Sequence, residues 1–164
     1  MDISRRTDYA LRMLTELVED PSGIVSVRTA ARENAVPYSF ARSIQHDLGV
    51  AGIVENSRGA NGGMRLAVDP RETTLLDVVE ALQGSVEISC CADPSGDGSP
   101  CPNLPTCRFS PVWCNARRLL RGLFSSVTLH QLVVEGRSPV FEGEFRLVDV
   151  SAARDLATSD ASSR

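Results

Sequence analysis

Cys90, Cys91, Cys101, Cys107 and Cys114 all fall within one stretch, CCADPSGDGSPCPNLPTCRFSPVWC, and the chain has no cysteine elsewhere. A thiolate is a nucleophile, a redox centre or a soft metal ligand, so thiols gathered in one segment can act on a single group. Their odd number argues against a closed disulfide framework, and a chain of 164 residues buries a core without one. Zinc sites more often show CxxC knuckles, which are absent here. Iron-sulfur clusters take thiolates from flexible loops, and the Pro and Gly residues around these cysteines let the backbone turn its N–H groups toward sulfide. The two histidines, His46 and His130, have no clustered partners, and His130 is expected on a helix surface.

Several elements must position that loop. Apolar residues recur at helical spacing in TDYALRMLTELVED, with Ala10, Leu11, Leu14, Leu17 and Val18 inward and Arg12, Glu16 and Glu19 outward. Pro21-Ser22-Gly23 ends that helix, and Ser26 is the expected N-cap of a second, VRTAAREN. Asn34-Ala35-Val36 forms a turn into a third helix, YSFARSIQHDL, with Pro37 expected at its first position. Ala41, Ile44 and Leu48 make its inward stripe and leave Ser39, Arg42, Ser43, Gln45 and His46 facing out. Two strand-like runs, IVENS and MRLAV, flank the Gly-rich turn RGANGG, with Arg58 at its tip. Helix, helix, polar helix and Arg-tipped hairpin, in that order, predict a winged helix-turn-helix. Ser39, Arg42 and Gln45 would then face the major groove, and Arg58 would enter the minor groove or hold a phosphate.

Further along, Thr74 caps LLDVVEALQG with Asp77 at its third position, and Gly84 ends the helix. After the cysteine loop a long amphipathic helix is expected from about Phe109. Val112, Ala116, Leu119, Leu120, Leu123 and Val127 lie on one side, and Asn115, Arg117, Arg118 and Arg121 on the other. Thr128 is the expected cap of a last short helix, SPVFEGEFRLVDV a short extended segment, and the polar end SAARDLATSDASSR disordered. The fold class is mainly α with a small β-hairpin wing, comprising a winged helix-turn-helix domain and a long C-terminal dimerisation helix. The expected division is residues 1–72 for the DNA-binding domain, 73–135 for the linker helix, cysteine loop and dimerisation helix, and 136–164 for an extension.

A formal net charge of −4 argues against a generally basic surface but permits a local one, and all 17 basic residues are Arg, the side chain suited to bidentate contacts with phosphate and guanine. The N-terminal MDISRRTDYALRML lacks the pattern of a secretory leader and no run is long enough to span a membrane, so a cytoplasmic protein with no membrane partner is expected.

TDYALRML near the start, VPYSF opening the third helix, AGIVENSRGANGG in the wing, the cysteines after the fourth helix and VTLHQLV after the long one together resemble the Rrf-type family of bacterial winged-helix iron-sulfur transcription regulators. The resemblance covers nearly all of residues 1–135. It implies a homodimer on double-stranded promoter DNA, with a two-iron or four-iron cluster beside the dimer helix that controls affinity for the promoter. Cys101 and Cys107 match the last two ligands of the family. The first gap departs from the pattern, because Ser95 stands at the usual position and the nearest upstream thiols are Cys90 and Cys91. Cys91 is taken as the first ligand with Cys90 as its alternative, and Cys114 is either a further ligand or a small apolar residue in the dimer seam.

Ser110 occupies the position of the histidine ligand found in some members. Asp8 matches the N-terminal aspartate that nitric-oxide-sensing members supply across the dimer, and it reads equally as a first-turn acid favoured by the helix dipole. The family reading makes the chain a regulator, by default a repressor, whose promoter affinity answers to nitric oxide, redox state or iron and cluster supply. A zinc- or thiol-based DNA-binding regulator without a cluster is the alternative. A cluster-carrying electron carrier or enzyme is a weaker one, since no GxSxG, HExxH, P-loop or Rossmann fingerprint occurs.

Overall fold

Ser4 begins the first element of the computed structural model, which describes residues 3–57, 59, 62–88 and 101–149. The Ser4 hydroxyl accepts from the Thr7 N–H at 3.1 Å and opens α1 (Arg5–Glu19). Ala10, Met13, Leu14, Leu17 and Val18 are buried along one face of it. Met13 joins the stripe read from the sequence, and Leu11 sits at its half-buried edge. The expected Ser26 cap is present, accepting from the Thr29 N–H at 3.1 Å, and starts α2 (Val27–Glu33). Pro37 stands one place earlier than expected, as the N-cap of α3 (Tyr38–Val50).

The turn between α2 and α3 is tight. The Val36 N–H donates back to the Ala31 carbonyl at 2.8 Å, which forces Ala35 into the left-handed region at φ 51°. That conformation crowds a Cβ against the following carbonyl and suits glycine better.

β1 (Val54–Asn56) and β2 (Met64–Leu66) form the antiparallel wing, with Glu55 opposite Arg65. Val25 forms an isolated antiparallel bridge with Met64 through paired backbone bonds of 2.9 and 2.8 Å. The chains approach so closely there that a Cβ on Gly63 would lie 2.5 Å from the Val25 carbonyl oxygen, so only glycine fits.

α4 (Leu75–Gln83) opens with the expected capping box between Thr74 and Asp77 and ends at Gly84, whose φ is 81°. Its last side chain is built into the fold. Gln83 Oε1 accepts from the buried Thr7 hydroxyl at 2.7 Å and from the Ser4 N–H at 3.2 Å, which satisfies the polar group that α1 buries.

α5 (Ser110–Ser125) ends before Val127, which corrects the helical stripe expected to run through that residue. Val127 is buried, its carbonyl accepts from the Leu75 N–H at 3.0 Å, and Thr74 and Thr128 form an antiparallel bridge beside it. Thr128 caps α6 (Leu129–Val133) with Gln131 completing a capping box. His130 is mostly buried rather than on the helix surface, and its Nδ1 lies 3.2 Å from Glu135 Oε1. Residues 138–149 carry neither helix nor strand, and the Phe141 and Phe145 rings stack at 5.4 Å. The polar end from residue 151 onward lies outside the described residues.

The chain divides into two compact units. One comprises Asp2–Ser85 and Phe124–Pro139, and its core draws on α1, α2, α3, the wing, Val78 of α4 and Leu129 of α6. The other includes Val86–Leu123 and the chain from Val140.

Candidate nucleic-acid interface and thiol loop

α3 is amphipathic in the way a groove-reading helix requires. Ala41, Ile44 and Leu48 are fully buried, which fixes the helix by its inner side and turns Ser39, Arg42, Ser43 and His46 to solvent. Gln45 is half-buried on the flank rather than fully outward. The wing is attached to this helix, since Asn56 Nδ2 donates to the Gln45 carbonyl at 3.4 Å. At the hairpin end Ser57 and Gly63 exchange backbone bonds of 2.9 and 3.1 Å, and the Gly62 N–H donates to the Gly59 carbonyl at 3.0 Å. Arg58, expected at the wing tip, lies outside the described residues.

One contact on this surface has no counterpart in the sequence reading. Arg6 of α1 reaches α3, where it forms an ion pair with Asp47 and donates from Nη2 to the Ser43 hydroxyl at 2.9 Å. Asp47 is an acid on the helix read as facing DNA, and Arg6 neutralises it there. Arg5-Arg6 in the sequence is the one available signal, and it does not say which element the pair meets.

The thiols lie in the other unit. Cys101 and Cys107 bound a run of overlapping turns, in which the Leu104 N–H donates to the Cys101 carbonyl at 2.9 Å and the Cys107 N–H to the Asn103 carbonyl at 2.8 Å. Both are half-buried, as is Cys114 on the second turn of α5, whose Sγ lies 4.0 Å from the buried Ser110 Oγ. Cys90 and Cys91 lie outside the described residues. Among the described residues no group of three Cys, His, Asp or Glu side chains stands together as a metal site. The donor type itself fits an iron-sulfur cluster, because soft thiolates held on a turn-rich loop are the ligands such clusters take. Asp8 is half-exposed on the first turn of α1, and its carboxylate accepts from Arg12 at 2.8 Å.

Two short helices joined by a tight turn, the second exposed along one side and followed by a β-hairpin, make a winged helix-turn-helix, a DNA-binding module. Residues 3–135 match the Rrf2 family, described as iron-dependent transcriptional regulators, and the chain belongs to that family. It is 30% identical over 135 residues to the HTH-type transcriptional regulator NsrR of Shouchella clausii, covering 82% of this chain and 89% of that protein. It is 31% identical over 145 residues to the HTH-type transcriptional repressor NsrR of Streptomyces coelicolor, covering 87% and 95%.

Two solved structures share the fold. CymR, the global cysteine regulator of B. subtilis, superposes with a TM-score of 0.65 at 24% identity, covering 82% of this chain and 98% of that one. IscR of T. potens superposes with a TM-score of 0.65 at 21% identity, covering 84% and 89%. The chain is thus a DNA-binding transcriptional regulator and not an enzyme. Among the described residues no helix is long and apolar enough to cross a membrane.

Proposed function

We propose that this regulator is a homodimeric, cytoplasmic repressor whose hold on promoter DNA is set by an iron-sulfur cluster in its cysteine loop. The observation that carries the reading is the thiol pair at the ends of one turn-rich loop, Cys101 and Cys107, in a chain of an iron-dependent family. Cys91 is the third thiolate, with Cys90 as its alternative, and Asp8 of a second copy completes the set. Cys114 is a spare or exchanging ligand. A cluster of two or four irons, when bound, supplies iron atoms whose valence and ligands change with redox state or with attack by a small molecule such as nitric oxide.

The chain's own residues turn that change into altered DNA binding. Cys107 lies three positions before Ser110, the first residue of α5, so a displaced loop moves the start of that helix. Val112, Trp113 and Leu119 leave apolar surface exposed on α5, which supports its pairing with the same helix of a second copy. The spacing between the two α3 helices of such a dimer must match two half-sites about one helical turn of DNA apart, so a change at α5 weakens binding without touching any base contact. At each half-site Ser39, Arg42 and Gln45 face the major groove and Arg58 holds the minor groove or a phosphate. Asp8 must give up its bond to Arg12 in order to serve as a ligand, and a displaceable carboxylate suits a site open to a small molecule.

The test is an anaerobic absorption spectrum of the purified full chain with iron and sulfide analysis, repeated after nitric oxide. Visible charge-transfer bands with matching iron and sulfide, altered by nitric oxide, are expected. A colourless, iron-free protein overturns the cluster, and zinc in its place selects the zinc-based regulator.

A further inference from the structure

Arg28 is an exposed arginine on α2, and its guanidinium carbon lies 5.4 Å from the centroid of the Tyr38 ring, at the start of α3. Several other arginines of the same unit are neutralised by acids, Arg6 by Asp47, Arg12 by Asp8, Arg32 by Glu33 and Arg65 by Glu55. Among the described residues of this unit Arg5, Arg28, Arg42 and Arg71 pair with no carboxylate, and of these Arg28 and Arg42 flank Tyr38. An aromatic ring holds a cation by its face and takes none of the guanidinium's in-plane N–H donors, so Arg28 keeps its charge and its hydrogen-bonding fork while losing freedom of movement. Tyr38 stands four residues before Arg42 on α3, which makes the two neighbours on one helix face. The edge that runs from Arg28 through Tyr38 to Arg42 is therefore un-neutralised and partly preorganised in a chain whose formal charge is −4.

We infer that Arg28 and Tyr38 form a clamp for a DNA backbone phosphate beside the entry of α3 into the major groove. Arg28 supplies the charge and paired N–H donors, and the Tyr38 hydroxyl donates a further hydrogen bond. The clamp sets the register of α3 and carries no sequence information itself. It rests on the reading of α3 as the groove-facing helix, and Arg42 tests that reading separately.

The experiment measures binding of the full chain to two duplexes across a salt series. One is a mixed-sequence duplex, and the other is enriched from a random pool by rounds of selection on the wild-type protein. Arg28→Ala is expected to weaken both by about three- to tenfold and to lower the slope of log affinity against log salt by about one. Arg28→Lys keeps that slope. Tyr38→Leu, which leaves the charge but removes its tether, weakens both by about two- to fivefold. Arg42→Ala is expected to act mainly on the enriched duplex. An unchanged affinity and slope in Arg28→Ala, with Arg42→Ala still selective, overturns the clamp and leaves the reading of α3 standing. No effect from either variant overturns both. A loss in Arg28→Ala confined to the enriched duplex makes Arg28 a base reader and overturns the phosphate assignment.

Discussion

The winged-helix unit closes around a fully buried apolar core, whereas the thiol-bearing unit buries few of its described apolar side chains. In the first, α1 and α3 bury Met13, Leu14, Leu17, Ile44 and Leu48 completely, and the buried Thr7 hydroxyl is satisfied by Gln83. In the second, Phe109, Val112 and Trp113 are exposed around the start of α5, and the described thiols sit half-buried without gathering into a metal site. A DNA reader has to present a rigid helix before its ligand arrives, and a close-packed core provides that rigidity. A sensing element, the role proposed above for the thiol-bearing unit, has to change when its ligand arrives, and half-buried thiols beside exposed apolar surface suit that role. The difference accords with the proposed division, reading in one unit and response in the other.

Substitutions of graded size sharpen or break that division. Ile44→Ala is expected to have the largest effect, a loss of about 2–5 kcal/mol in chemical denaturation with DNA binding abolished at ordinary temperature, because it empties the core behind α3. A loss below 1 kcal/mol, on the order of a surface change, would show that this core is not what holds the helix. Thr7→Val keeps the shape of the side chain but removes the hydroxyl donor to Gln83 Oε1, which retains the Ser4 N–H, at a cost of about 0.5–1.5 kcal/mol by the same measurement.

Ala35→Gly works in the other direction. Relief of the left-handed strain in the turn raises stability by about 0.5–1 kcal/mol, visible as a higher thermal midpoint with operator affinity retained. Val112→Asp is expected to change the stability of dilute, monomeric protein by less than about 0.5 kcal/mol, because the side chain is 57% exposed. Sedimentation velocity should show it weakening self-association. Wild-type self-association in this variant would remove α5 from the dimer contact.

Local chemistry in the sequence determined much of the winged-helix unit. Ser26, Thr74 and Thr128 each place an oxygen where the free N–H groups of a helix start need one, and all three cap as read. The Ala41, Ile44 and Leu48 spacing identifies the inner side of α3, and hence the outward Ser39 and Arg42. The odd, clustered cysteines point to metal or redox chemistry from composition, and that reading rests with the proposal above. Tertiary structure decided what periodicity cannot encode. It turned Gln45 to a half-buried flank, drew Val127 out of the α5 stripe into a backbone pairing with Leu75, and enclosed His130 beside Glu135. It also brought Arg6 onto Ser43 and Asp47, and Arg28 over Tyr38. Helix spacing and caps depend on neighbours within a turn or two, whereas these contacts join residues from different elements whose meeting is set only when the core packs.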